Sequence, residues 1–73
     1  MGRLIRLDQT GHSTLAEWTP GDEAAQGQAV AAFEAELERG MIGSASRDGA
    51  AEVVRELPLD ADLVILRRPI AGG

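Results

Sequence analysis

The rhythm of apolar and polar positions divides the chain into short stretches that alternate, interrupted by a single stretch with helical spacing. Residues 3–8 (Arg3, Leu4, Ile5, Arg6, Leu7, Asp8) mix aliphatic and polar side chains in rough alternation, and Gln9-Thr10-Gly11-His12 supplies turn chemistry. Residues 13–18 alternate again and end in the only tryptophan, Trp18, so the two stretches predict an N-terminal hairpin. Thr19-Pro20-Gly21-Asp22 has the form of a helix start: Thr19 or Asp22 can accept from the first free N–H groups, and Pro20 suits the first helical position. The segment that follows, to Arg39, is rich in Ala, Glu and Gln and places Val30, Phe33, Leu37 and Met41 three or four residues apart on one stripe. Gln26 interrupts that stripe, and Gly40 is the expected residue just past the helix end.

Beyond the helix, Met41–Ser46 is strand-like, Asp48-Gly49 favours a tight hairpin between Arg47 and Ala50, and Ala51–Leu57 resumes with Val53 and Val54. Pro58-Leu59-Asp60-Ala61-Asp62 breaks the run. Leu63-Val64-Ile65-Leu66 then reads as a strand buried on both faces. After Arg67 and Arg68, the segment Pro69-Ile70-Ala71-Gly72-Gly73 predicts a flexible extended tail, since proline cannot donate to a sheet. The predicted order is ββαβββ, an α+β fold in which a mixed sheet wraps one helix, with Val30, Phe33 and Leu37 packed on Ile5, Leu7, Val64 and Leu66.

Composition narrows the function classes. A chain of 73 residues has room for one domain and one small core. With no cysteine there is no disulfide, thiolate nucleophile or cysteine-based zinc site, and no cofactor is expected. Twelve carboxylates against seven cations, a net charge of −5, argue against a nucleic-acid surface. Every one of those cations is arginine, and lysine and asparagine are missing. No apolar run approaches a membrane span and the start lacks a signal-peptide pattern, so a cytoplasmic protein without a membrane partner, monomeric when free, is expected. Met1-Gly2 begins like a myristoylation signal, but Arg6 stands where Ser or Thr is required.

The element order, together with a sequence ending in Gly72-Gly73, resembles the β-grasp fold of ubiquitin and of the bacterial sulfur carriers. Thr10-Gly11 falls on ubiquitin's first hairpin turn, and Glu17, Pro20 and Asp22 on its strand-to-helix passage. The acidic turn Asp60-Ala61-Asp62, the aliphatic strand and the Pro-Ile-Ala-Gly-Gly tail are closer to the carriers of molybdopterin and thiamin synthesis. The Asp48-Gly49 hairpin and the Arg67-Arg68 pair depart from those carriers. The resemblance implies a β-grasp domain over residues 1–68 and a working tail over 69–73. It also implies a chain that is not itself an enzyme: a separate adenylating enzyme, of the type that activates ubiquitin, would use ATP to activate the Gly73 carboxylate. Gly73 would then carry sulfur as a thiocarboxylate to an acceptor, or be conjugated to a target protein. Gly72, lacking a Cβ, would let the tail thread a narrow channel. Arg67, Arg68, Pro69, Ile70 and Ala71 would form the partner-binding approach.

The rival reading is a non-catalytic interaction module, an accessory or virion-associated protein with an inert tail, working through its sheet face or edge. Other signals carry less. His12 beside Ser13 and Thr14 lacks a third catalytic member and reads as a turn histidine. Glu34, Glu36 and Glu38 with Arg39 read as a solvated helix face, and Asp60 with Asp62 as a turn. Gly40-Met41-Ile42-Gly43 has the letters of an RNA-clamping loop without flanking cations, and Trp18 reads as core.

Overall fold

The alternating N-terminal stretches form two antiparallel strands, β1 (Gly2–Asp8) and β2 (Gly11–Trp18), in a computed structural model that describes residues 1–47 and 49–69, Arg47 by its backbone alone. Asp8 Oδ1 closes their turn by accepting from the Thr10 N–H at 2.8 Å and the Thr10 hydroxyl at 2.6 Å. A bulge follows Leu4: it faces Ala16, Ile5 faces Thr14, and Leu15 is the extra residue. Both Leu15 and Ala16 therefore pack toward the core.

Asp22, one of the two predicted caps, starts helix α1 (Glu23–Glu38) by accepting from the Ala25 N–H. The helix ends as Gly40 predicts. With φ at +91°, Gly40 donates to the Leu37 carbonyl while Met41 donates to that of Glu36, the paired closure that a left-handed glycine permits. The chain continues through β3 (Ile42–Arg47), β4 (Ala50–Val54) and β5 (Leu63–Arg67). Asp48, half of the expected hairpin turn, lies outside the described residues; Gly49 has φ of +79°. The five strands form one mixed sheet in the order β2-β1-β5-β3-β4, with β1 and β5 parallel and every other pair antiparallel.

One face of this sheet packs on α1. Leu4, Trp18, Ala29, Phe33, Ala45, Ala61, Val64 and Leu66 are the buried core. Gly43 belongs to the same surface, where a Cβ would stand 2.6 Å from Phe33. Three sequence expectations need correction. Ile5 and Leu7 do not pack on the helix; Leu4 does, and a strand's period of two turns its neighbours to the other face, leaving Leu7 40% exposed. β5 is fully buried only on the helix side, at Val64 and Leu66, while Leu63 and Ile65 are half-buried on the open face. The buried stripe of α1 is Ala29, Phe33 and Glu36, with Val30 and Leu37 at its half-buried margins.

Candidate functional site

The sheet has two ends, and the predicted partner-binding residues lie at the one where β1, β5, β4 and the helix all finish. Arg67, Arg68 and Pro69 are exposed there. Ile70, Ala71, Gly72 and Gly73 lie outside the described residues. Strand alternation separates the two arginines that the sequence presents as a pair. Leu66 is buried under the helix, so Arg67 opposes Ile42 on the open face, and Arg68 returns to the helix side.

On that side lies a groove of about 560 Å³, lined by Arg6, Asp8, Glu36, Arg39, Met41, Arg68 and Pro69 among others. Glu36 organises it. Its Oε1 accepts from Arg6 at 3.1 Å and lies 3.9 Å from Arg39, with only 11% of its side chain exposed. The solvated helix face expected of Glu34, Glu36 and Glu38 is therefore wrong for Glu36 and right for the exposed other two. The available signal was spacing: Glu36 stands three residues beyond Phe33 and seven beyond Ala29, on the same stripe. Arg6 occupies the core face of β1 for the complementary reason, since a charge on that face needs a partner.

Asp8, at the rim, has its carboxyl held below the usual aspartate value. The Thr10 hydroxyl and then the Thr10 N–H stabilise its charged form, with Arg6 and Arg68 adding attraction. Guanidinium groups stay protonated at any physiological pH, so Arg6, Arg39 and Arg68 equip the groove to hold and orient charged atoms.

The remaining candidates fall elsewhere. Trp18 is 2% exposed and donates from Nε1 to the Leu59 carbonyl at 2.9 Å, as the core reading expects. A Cβ on Gly2 would lie 2.1 Å from its ring, so only glycine leaves room there. His12 is exposed and sits within β2 opposite Leu7, not in the turn itself. Asp60 and Asp62 are exposed beside β5, and Gly40 caps the helix. Among the described residues no three His, Asp or Glu side chains group closely enough to hold a metal ion. No helix among them is long and apolar enough to cross a membrane. The chain matches no family model, and no curated protein or solved structure is significantly similar to it.

Proposed function

We propose that this is a β-grasp carrier protein that acts through the Gly73 carboxylate after activation by a separate ATP-dependent adenylating enzyme. The observation that carries the reading is the place of β5: it lies parallel to β1 in the middle of the sheet and runs out through exposed Arg67, Arg68 and Pro69 toward Gly72-Gly73. A central strand holds the start of the tail rigidly, and two glycines beyond it can enter a narrow channel. A carboxylate is a poor electrophile. Attack of the Gly73 carboxylate on the α-phosphorus of ATP releases pyrophosphate and leaves an acyl-adenylate, whose AMP is a good leaving group. A persulfide sulfur that displaces AMP, followed by cleavage of the sulfur–sulfur bond by a thiol reductant, leaves a thiocarboxylate. A cysteine thiolate that displaces AMP leaves a thioester for transfer to an amine. Arg68, beside Arg6 and Arg39, presents the tail to a partner with an acidic surface.

Intact-mass spectrometry of the protein from its own cells tests this reading. A sulfur-for-oxygen exchange at Gly73, or an isopeptide-linked species, is the expected result. A chain that continues past Gly73, or an unmodified carboxylate even with candidate activating enzymes and ATP supplied, overturns it. The exposed open face, with Leu7 and Val53 on it, favours a second reading as an interaction module. A fusion added after Gly73 separates the two: it abolishes a carrier's function and leaves a module's binding intact.

A further inference from the structure

The β3–β4 ladder ends at Gly43 opposite Val54, whereas β3 stays paired with β5 one residue further, at Ile42 opposite Arg67. The chain bends away from the sheet at Arg55 and Glu56, so β3 and β4 part like a fork. A groove of about 480 Å³ lies in it, with an apolar lining of Leu37, Met41, Ile42, Val53 and Val54. Val53, at 66% exposure, is the most exposed large apolar side chain after Met1 among the described residues. Among the described residues, the only charges lining the groove are Arg55 and Arg67, and neither forms an ion pair with another of those residues.

That charge pattern runs against the molecule. Carboxylates outnumber arginines twelve to seven, and the groove beside Arg68 contains Asp8 and Glu36 to offset its cations. Two guanidiniums framing an apolar cleft, with no carboxylate among the described residues of its wall, form a surface of one sign. We propose that the fork is a docking site for an acidic segment of a partner protein, in which an apolar side chain enters the cleft and flanking carboxylates meet Arg55 and Arg67. A nucleic acid fits poorly, because two cations on a chain of net charge −5 do not hold a polyanion. The proposal is independent of the fate of Gly73.

The test is titration of the ¹⁵N-labelled full chain with an acetylated, amidated heptapeptide of Asp and Glu around one central Phe. The expected result is a set of amide shifts centred on Ile42, Gly43, Val54 and Arg55 that weaken with added salt. Joint substitution of Arg55→Glu and Arg67→Glu should raise Kd about tenfold or more with the rest of the spectrum unchanged. Val53→Ser, which leaves both charges, should weaken binding less. The idea is overturned if no shifts occur at millimolar peptide, or if peptides with Lys for the acids or Ser for Phe bind as well. Shifts confined to the Ile5–Ile65 face overturn it too, as do concentration-dependent shifts without peptide, which would instead assign the fork to a second copy of this chain.

Discussion

The two ends of the helix–sheet sandwich are closed by opposite means. At the end where β2 finishes and β5 begins, the indole of Trp18 fills the space left by Gly2 and spends its one donor on the Leu59 carbonyl. At the other end, a carboxylate and a guanidinium, Glu36 and Arg6, occupy the equivalent core-facing positions. The first closure buries its aromatic ring, although a groove of about 510 Å³ lined by Gly2, Trp18 and Leu59 among others lies at that end as well. The second closes on an ion pair, and its groove is distinguished by the charged side chains of Arg6, Asp8, Glu36, Arg39 and Arg68 in its lining. The two ends therefore differ in the chemistry of their closure, an aromatic ring at one and an ion pair at the other, and not in whether a groove is present.

The strongest way to break this contrast is at the aromatic end. Trp18→Ala should cost about 3–5 kcal/mol, comparable to the whole stability of a domain this short, and leave the chain largely unfolded in a urea titration followed by circular dichroism. Trp18→Phe keeps a ring but strands the Leu59 carbonyl, and should cost about 1–3 kcal/mol.

At the polar end the effect should be smaller. Glu36→Ala leaves Arg6 half-buried without its carboxylate and should cost about 1–2 kcal/mol, below the full value for a buried pair because Arg6 is 32% exposed. The joint replacement Arg6→Met with Glu36→Leu makes this end resemble the other, and should unfold within about 1 kcal/mol of the parent. The exposed Arg3–Glu17 pair, at 3.8 Å, is the control, with a coupling of about 0.5 kcal/mol or less in a double-mutant cycle.

Smallest is the effect of Asp8 at the groove's rim. Its folded pKa is lowered, so the stability it contributes is fully present above the ordinary aspartate value of 3.8 and is lost as pH falls through the lowered one. Asp8→Asn should therefore unfold slightly more easily than the parent at neutral pH. The difference should vanish in strong acid, as read from paired denaturation midpoints and the Thr10 amide shift.

Element order and most turns were legible because local chemistry sets them. Asp22, Gly40 and the aliphatic run of β5 each act within a few residues of themselves. The face of β1 was not, because Leu4, Ile5 and Leu7 are apolar on both parities and the tie is broken only from outside the strand. Leu4 lies beside Val64, and Arg6 is accepted on the core face because Glu36 meets it there. That ion pair spans 30 residues of sequence, and neither partner announces the other. At the candidate site, the exposure of Arg67 and Arg68 was legible, but their assignment to two different grooves follows from strand pairing alone.

The position of β5 governs the order in which the molecule can assemble. The β1–β2 and β3–β4 hairpins pair with each other nowhere in the sheet; the strand that each pairs with outside itself is β5. Both can form early from near-neighbour contacts, yet they share no sheet until residues 63–67 insert between them and tie β1 to a partner some sixty residues away. Folding must therefore wait for the final strand to be synthesised, and a chain cut before Leu63 would retain two hairpins and a helix with no common sheet to join them.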